Sequence, residues 1–295
     1  MGCGDKPTSR VGVPLPCLVF GAERATNALA QVRAFVNECT PRDAGTAGAT
    51  RAADWLYARL AAQDITVKLD AFSDRTPLGT QSFVNVLATL PGASDEWIVL
   101  LSHFDTKSGI GEGFQGANDS GSSTGLLLEL AAMLRAAGPL KYNILCGFMD
   151  GEECQLAYSE RDGFHGSKQL ARQMKARQAR IKAVILMDMV GDRELVLTVP
   201  RNGSAQLRLL ALEAAQATGH RQHLKLFDGV IFDDHQAFLD CGYPAVNLID
   251  FFYGSRAEQN DYWHTLEDTL DKISAESLQI TGDIVTEMLN RLLQE

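Results

Sequence analysis

Apolar positions along the chain recur with two different periods, and segments of the two kinds alternate. Within residues 49–63 the apolar positions fall three or four residues apart, as in an amphipathic helix. Residues 97–101 are apolar without interruption, which is typical of a strand buried on both faces. The pattern predicts helices at 25–39, 49–63, 122–137, 167–177, 205–218 and 274–293. It predicts strands at 65–72, 83–90, 96–102, 143–149, 181–190 and 245–249.

The alternation of strands and helices predicts the fold class. Such a chain forms an α/β protein with a central, mostly parallel or mixed sheet and helices on both faces. Single α/β domains routinely reach this length of 295 residues. We therefore expect an irregular lead-in at residues 1–24 and one α/β domain at residues 25–295, which carries the functional site.

Composition argues against two classes of protein. The net charge of −10 disfavours a nucleic-acid partner, because phosphate binding needs clustered Lys and Arg. No apolar run reaches the roughly 18 residues that a transmembrane helix needs. The six cysteines lack CxxC spacing, which disfavours a structural zinc site built from thiolates. Whether Cys17 and Cys39 pair in an oxidising compartment stays open.

The start of the chain, Met1-Gly2-Cys3, is followed by a polar stretch that contains proline. This pattern is typical of the mature start of a bacterial lipoprotein. It predicts an extracytoplasmic protein, in the periplasm or anchored in a bacterial envelope by a lipid on Cys3. The alternative is an arbitrary chain end with a free thiol, since no hydrophobic signal core is present.

Polar side chains follow four of the predicted buried strands at the point where each strand ends. Ligands of open α/β sheets bind at the carboxyl ends of the strands, so we expect these side chains to lie together. One such acid would more often cap a helix or lie in a solvated turn, but four strand ends indicate a site. The residues are His103, Asp105, Asp150, Glu152, Glu153, Asp188 and Asp250.

Two further segments contribute candidate metal ligands. His264 follows Trp263, and Asp119 lies in the small-residue loop 116–121, where the backbone can approach a ligand closely. Zn²⁺ accepts nitrogen from His and oxygen from Asp or Glu. Glu152 and Glu153 diverge as neighbours, so that one can bind a metal while the other acts as general acid/base. The alternatives are a helix cap at Asp119 and a solvated acidic turn at 152–153.

The order of these motifs resembles a known superfamily, the M28 zinc exopeptidases and the related animal-type glutaminyl cyclases. The resemblance runs from about residue 72 to residue 280 and implies a zinc-exopeptidase-like three-layer sandwich. Several details are closer to the cyclases. In particular, Ser120 follows Asp119, where two-metal peptidases typically have another Asp or Asn. The segments that resemble the cyclases are 76–79, 83–86, 102–107, 116–120, 148–153, 166–168, 233–235 and 263–265.

What the resemblance implies is a zinc-dependent glutaminyl-peptide cyclotransferase. Such an enzyme converts the N-terminal glutamine of a peptide or protein to pyroglutamate and releases ammonia. One zinc per chain would be held by Asp119, Glu153 and His264. Glu152 would be the acid/base, with Asp188 and Asp233 as a hydrogen-bonded acidic pair beside it. The implied substrate-binding residues are Trp263, Tyr158, Asn247 and Phe251.

The chain departs from the cyclase pattern around the implied pocket. It has Tyr158 where the cyclases have tryptophan, and Asn247 where they have histidine. The segment 250–262 is longer than in the animal enzymes and contains additional aromatic residues. Ser102 replaces a cysteine, so the cyclase disulfide at that position does not carry over. These departures affect the shape of the pocket more than the metal ligands.

Two competing interpretations stay open. In a two-zinc aminopeptidase, His103 and Asp188 would bind a second metal, Asp119 would bridge the two ions, and Glu152 would activate water. In a non-catalytic binding domain, the fold alone would remain. The intact set of Glu152, Glu153 and His264 argues against the second interpretation.

Overall fold

The computed structural model describes residues 17–256 and 258–295. The strands in this part of the chain are β1 (Thr66–Thr76), β2 (Gly79–Leu90), β3 (Glu96–His103), β4 (Asn143–Met149), β5 (Arg180–Asp188), β6 (Leu197–Pro200), β7 (Leu224–Phe227) and β8 (Ala245–Ile249). The α-helices are α1 (Gly21–Cys39), α2 (Ala47–Ala61), α3 (Ser123–Ala136), α4 (His165–Ala176), α5 (Ala205–Ala217), α6 (Asp234–Asp240) and α7 (Ala275–Gln294).

The eight strands form one mixed sheet in the order β1-β2-β4-β3-β5-β8-β6-β7. Its centre is parallel, because β3 pairs with β4 and β5 in parallel and β5 pairs with β8 in parallel. Antiparallel pairing occurs between β1, β2 and β4 on one side and between β8 and β6 on the other. The mixed α/β fold expected from the sequence is therefore confirmed.

Alternate side chains of the central strands enter two separate hydrophobic cores. In β3, Ile98 and Leu100 pack into the larger core with residues of α1, α2, α3, α5 and α7. Val99 and Leu101 pack into the smaller core with residues of α4 and α6. Because successive side chains of a strand point to opposite faces, the uninterrupted apolar run of β3 serves both cores. The result is the three-layer sandwich.

The sequence pattern did not predict β6, β7 or α6. Strands β6 and β7 have four residues each and α6 has seven, which is too short for a period to emerge. Helix α1 begins at Gly21, inside the predicted lead-in. Residues 1–16 of that lead-in, with Cys3, lie outside the described residues. The division at residue 24 stays a prediction.

The fold bears on two questions that the sequence raised, whether a helix spans a membrane and whether Cys17 and Cys39 form a disulfide. Within residues 17–256 and 258–295, no helix is long and apolar enough to cross a membrane. In the same part of the chain, Cys17 and Cys39 are both free thiols, the first exposed and the second buried. Burial raises the pKa of the Cys39 thiol to about 11. The fold therefore contains no disulfide between these two cysteines.

Candidate metal centre and active site

Three neighbouring parallel strands bring candidate side chains to one edge of the sheet. His103 is the last residue of β3, Asp188 is the last residue of β5, and Glu152 and Glu153 follow the end of β4. All four side chains are buried. Parallel strands end on the same side of a sheet, which is why residues so far apart in sequence meet here.

Asp119, Glu153 and His264 form the first cluster. Each offers one ligand atom, and these atoms all lie within 4.8 Å of one another. His264 Nε2 lies 2.8 Å from Glu153 Oε1 and 3.4 Å from Asp119 Oδ2. One imidazole nitrogen and two carboxylate oxygens are the donor set of a catalytic zinc site, in which a fourth position stays free for water or substrate.

A second cluster consists of His103, Asp119 and Asp188. His103 Nε2 lies 3.0 Å from Asp119 Oδ1 and 3.3 Å from Asp188 Oδ1. Asp119 is thus common to both clusters, one carboxylate oxygen facing each histidine. This geometry allows His103 to orient Asp119 by a hydrogen bond, and it also fits the second metal of a two-zinc site.

The electrostatics of the first cluster fit a divalent cation. Burial raises the pKa of Glu153 to about 7, and the charge of Asp119 adds to this effect. For Asp119 itself, burial is outweighed by hydrogen bonds from His103 and His264, and its pKa is lowered. Burial disfavours a charged His264, but Asp119 and Glu153 raise its pKa to about 9. Two buried, mutually repelling carboxylates are a typical environment for a bound metal.

The loop that carries Asp119 requires glycine at its start. Gly116 has φ +55°, and a Cβ there would lie 2.5 Å from Thr106 Cγ2 and 2.6 Å from the carbonyl oxygen of Asp119. The loop ends at Ser122, and α3 begins at Ser123. Because the carboxylate of Asp119 faces His103 and His264, its role here is not that of a helix cap.

Two buried carboxylates outside the metal clusters hold the backbone of the site. Asp105 accepts hydrogen bonds from the amides of Glu152 (3.2 Å) and Glu153 (3.0 Å). Asp268 accepts hydrogen bonds from the amides of Asn118 (2.7 Å) and Asp119 (3.1 Å). Asp105 was visible as a strand-end acid. Nothing local in the sequence distinguishes Asp268 from a solvated acid of the loop after His264.

Arg42 supports the same region from the turn between α1 and α2. Its guanidinium is fully buried and donates hydrogen bonds to the carbonyl oxygens of Phe104 (2.7 Å), Gln115 (2.8 Å) and Gly116 (2.6 Å). Burial lowers its pKa to about 10, so Arg42 is charged at neutral pH. Residue 42 lies before the segment that resembles the cyclases, and no pattern in the sequence indicates its role.

A cavity of about 200 Å³ opens beside the clusters. Seven of the residues predicted for the site line it, namely Asp119, Glu152, Tyr158, Asp188, Asp233, Phe251 and Trp263. The other lining residues were not predicted and are Met189, Val230, Ile231, Phe232 and Ile249. The apolar segment directly before Asp233 was the signal that could have revealed Val230, Ile231 and Phe232.

Aromatic side chains form the walls of the cavity. The Trp263 ring stacks on the imidazole of His264, with centroids 4.0 Å apart and planes at 24°. Phe251 lies against Trp263 with centroids 6.4 Å apart. The hydroxyl of Tyr158 lies 3.0 Å from Glu153 Oε2 and 3.3 Å from Glu152 Oε2. Tyr158 thus connects the wall with both glutamates.

Asn247 takes a different position from the other predicted substrate-binding residues. It lies in β8, is fully buried and is absent from the lining of the cavity. Its amide donates a 2.7 Å hydrogen bond to Asp233 Oδ2. Asn247 therefore acts on the cavity through Asp233.

Glu152, Asp188 and Asp233 form an acidic wall. Burial raises the pKa of all three carboxyls, and the charge of Asp188 raises the pKa of Asp233 further. Among the described residues no hydrogen bond joins Asp188 to Asp233, so the expected hydrogen-bonded pair is not observed. Asp188 instead bonds with His103, and Asp233 accepts a hydrogen bond from the amide of Asn247. Carboxyls with raised pKa values in a cavity are suited to exchange protons near neutral pH.

The α/β sandwich and its carboxylate–histidine cluster define a protein with a candidate catalytic metal centre. The family model described as peptidase family M28 matches residues 85–289, which is more than half of the chain. The chain therefore belongs to this family.

Within family M28 the chain groups with the glutaminyl cyclases. The crystal structure of the glutaminyl cyclase from an Acidobacteriales bacterium is 33% identical, with a TM-score of 0.86 and 99% of each chain covered. The glutaminyl-peptide cyclotransferase of Boiga irregularis is 30% identical over 76% of this chain and 70% of its own length. The glutaminyl-peptide cyclotransferase-like protein of Mus musculus is 32% identical over 69% of this chain and 59% of its own length. The family resemblance expected from the motifs is confirmed.

Proposed function

We propose that the protein is a zinc-dependent glutaminyl-peptide cyclotransferase, which converts N-terminal glutamine to pyroglutamate and releases ammonia. The observation that carries the proposal is the position of Glu152. Its carboxyl lines the cavity together with Asp119 of the metal cluster and with Trp263. A reacting group in this cavity would contact a metal ligand, a proton-exchanging carboxyl and an aromatic wall at once.

Asp119, Glu153 and His264 would hold one zinc ion per chain. When bound, zinc supplies a Lewis acid that polarises the γ-amide carbonyl of the substrate. Tyr158 and Asp268 would orient this set, the first through its hydrogen bond to Glu153 and the second through the backbone amide of Asp119. Such outer contacts fix the direction of metal ligands.

Glu152 would carry the proton transfer. The α-amine of the substrate attacks the carbonyl carbon (Cδ) of its own side-chain amide, a C–N bond forms, and the bond from that carbon to the amide nitrogen breaks. Glu152 takes the proton that the amine loses and delivers it to the departing nitrogen, so that ammonia leaves. One carboxyl serves both steps, because the two nitrogens lie on the same carbon of the intermediate.

The remaining lining residues would bind and orient the substrate. The nucleophile is already tethered to its target, so holding the glutamine side chain in a folded conformer supplies much of the rate enhancement. Trp263 and Phe251 would enclose the side chain and exclude water, which would otherwise hydrolyse the amide. Asp188 and Asp233, the latter held by Asn247, would accept hydrogen bonds from the substrate nitrogens.

A two-zinc aminopeptidase is the alternative, because His103, Asp119 and Asp188 form a second possible metal cluster. The comparisons support the cyclase. The cyclotransferase of Boiga irregularis, the cyclotransferase-like protein of Mus musculus and the Acidobacteriales glutaminyl cyclase are 30–33% identical to this chain. The resemblance to the cyclases also includes Ser120, which follows Asp119.

Two measurements on the purified protein separate these functions. We expect ammonia and pyroglutamate from an N-terminal glutaminyl dipeptide, and one zinc per chain by elemental analysis. Two tightly bound metals, cleavage of aminoacyl-anilides and no pyroglutamate would establish the aminopeptidase instead. Removal of zinc by a chelator should abolish pyroglutamate formation, and added zinc should restore it.

An extracytoplasmic location and a lipid on Cys3 also remain proposals. They rest on the Gly2-Cys3 pattern of the sequence. Mass spectrometry of the protein from bacterial membranes tests them, since a diacylglyceryl group on Cys3 has a characteristic added mass. A free thiol at Cys3 in the protein isolated from bacterial membranes would contradict the lipid anchor.

A further inference from the structure

A second, larger cavity adjoins the candidate active site. It has a volume of about 490 Å³ and lies between α4 and α6, with the loop at 158–160 at one end. Two side chains, Tyr158 and Phe232, line both this cavity and the one beside the metal cluster. The two cavities are therefore neighbours across a shared aromatic boundary.

The topology explains why this groove starts at the active site. Helix α4 begins at His165, shortly after the loop that carries Glu152, and α6 begins at Asp234, directly after Asp233. Both helices pack on the same face of the sheet, where Leu170 and Phe238 share the smaller core. Two helices that leave one site side by side leave a groove between them.

The floor and the entrance of the groove are apolar. Phe164, directly before α4, and Ala237 of α6 line it, and Tyr158 stacks on Phe164 with centroids 5.0 Å apart. At the shared boundary, 67% of Phe232 and 41% of Tyr158 are exposed. Large apolar side chains that remain exposed at the mouth of a cavity are typical of a binding surface.

The wall beside Tyr158 is preformed. Asp162 accepts hydrogen bonds from the amides of Gln155 (2.6 Å), Leu156 (2.8 Å) and Ala157 (3.0 Å). Lys168 donates to the carbonyl oxygens of Glu160 (3.0 Å) and Gly163 (2.9 Å). A wall held in this way loses little entropy when a ligand binds.

The charged side chains around the groove have both signs. Lys168 and Arg172 lie on the α4 side, while Glu160 and Asp240 complete the lining. Lys168 is already engaged by backbone carbonyl groups. Selectivity by net charge is therefore weak, and the apolar floor determines which side chains bind.

The length of the groove matches a short peptide. Helix α6 has seven residues, which is about 10 Å at 1.5 Å per residue. An extended peptide advances about 3.3 Å per residue. The groove therefore has room for about three residues beyond the one held beside the metal cluster.

We propose that the groove between α4 and α6 binds residues two to four of the substrate peptide and prefers large apolar side chains at positions two and three. This inference rests on the proposed cyclotransferase function. It makes Phe232 and Tyr158 the boundary that the substrate backbone crosses, and it makes the enzyme selective for peptides and proteins with an apolar segment after the N-terminal glutamine.

Matched substrates test the selectivity of the wild-type enzyme. The amides of Gln-Phe-Leu-Ala and Gln-Ala-Ala-Ala have the same length and charge and differ only in the side chains that the groove would hold. We expect kcat/KM to be about tenfold higher for the first, which corresponds to about 1.4 kcal/mol. Equal values for the two tetrapeptides would overturn the proposal.

A blocking variant locates the effect in the groove. Arg172 is an exposed residue of the groove lining, and Arg172→Trp would place an indole in the space between the helices. We expect the tenfold preference to fall to about one. Arg177→Trp is the matched control, because this exposed arginine follows the same helix outside the groove, and it should keep the preference. Preservation of the preference in Arg172→Trp would contradict the proposal.

A binding measurement separates this inference from the proposed function. Fluorescence anisotropy of C-terminally labelled Gln-Phe-Leu-Ala reports affinity whether or not the peptide is cyclised. We expect Arg172→Trp to weaken binding about tenfold relative to Arg177→Trp. If the protein converts no glutaminyl dipeptide but the two variants differ in affinity in this way, the proposed function is wrong and the proposed peptide binding in the groove is supported. Equal affinities would reject the groove, whatever the turnover.

Discussion

The hydroxyl of Tyr253 donates a 2.8 Å hydrogen bond to Oδ1 of Asp268. The same carboxylate accepts hydrogen bonds from the backbone amides of Asn118 and Asp119. It therefore holds the backbone of a candidate metal ligand. Tyr253 and Asp268 are both fully buried. Through this bond the aromatic segment that follows β8 supports the loop that carries Asp119.

Tyr253→Phe removes that hydroxyl without changing the ring. The protein should lose about 1 kcal/mol of stability, because a buried acceptor loses one of its donors. Urea unfolding of the zinc-loaded protein measures the change. Tyr262→Phe is a suitable control, since Tyr262 packs against Tyr253 but its side chain donates no hydrogen bond to Asp268. Equal effects of the two substitutions would exclude a specific role for the hydroxyl.

Asp268→Asn should weaken zinc binding while the fold persists. Its amide group can accept one backbone N–H but presents a donor to the other, so the Asp119 loop would shift. Loss of an outer-shell contact typically costs about 10- to 100-fold in metal affinity. Competition with a chelating dye measures the dissociation constant of zinc. A wild-type constant in Asp268→Asn would show that this carboxylate does not position Asp119.

Glu152→Gln tests the proton-transfer role. The substitution keeps the shape of the side chain but removes its ability to accept a proton, and kcat should fall by about 10²- to 10⁴-fold. Zinc content should stay at the wild-type level, because the proposed ligands are untouched. Undiminished pyroglutamate formation by this variant would remove Glu152 from the mechanism.

The buried carboxyl of Asp250 should make the free energy of unfolding depend on pH. Burial raises its pKa to about 7, and the nearby charge of Asp192 adds to the shift. A carboxyl that holds its proton more tightly when folded makes stability fall as pH rises from its unfolded pKa of about 3.9 to the folded value. Above about pH 7 this contribution is constant.

Asp250→Asn abolishes that titration. Between pH 4 and pH 7 the free energy of unfolding should decrease less steeply with pH in the variant than in the wild type. The slope is the informative quantity, because the substitution also alters the hydrogen bonds from the amides of Val196 and Phe252 at every pH. Parallel pH profiles of the two proteins would show that Asp250 is not protonated in the fold.

Arg42→Lys probes how the turn between α1 and α2 supports the loop that carries Asp119. Lysine keeps the charge but cannot reach the carbonyl oxygens of Phe104, Gln115 and Gly116 together, since it has no planar fork of donors. We expect a loss of about 2–3 kcal/mol in unfolding free energy, as for a broken buried network with a charged donor. Thermal unfolding measures it, and an unchanged melting temperature would contradict the role.

Much of the fold could be predicted because its signals are local. The uninterrupted apolar run of β3 reflects burial on both faces. The polar residues at the ends of β3, β4 and β5 each lie next to the apolar run of their own strand in the sequence. Parallel pairing then places His103, Glu152 and Asp188 at one edge. The short elements β6, β7 and α6 had no such signal, since their few residues are held by the packing around them.

The remaining parts of the site depend on contacts between distant segments. Arg42 reaches residues 104, 115 and 116, and Asp268 binds a loop about 150 positions earlier in the chain. No spacing or period marks either residue. Both are charged groups whose burial is compensated by partners that only the folded chain brings together.

The amino-acid sequence by itself determined the strand and helix alternation, the α/β class and the order of the histidine and carboxylate motifs, because these depend on neighbouring residues. Only the tertiary structure decided that Asp119 is shared between two histidines, that Asn247 acts through Asp233, and that a groove leaves the site between α4 and α6. The physical reason is that distances between segments follow from packing, which no local pattern encodes.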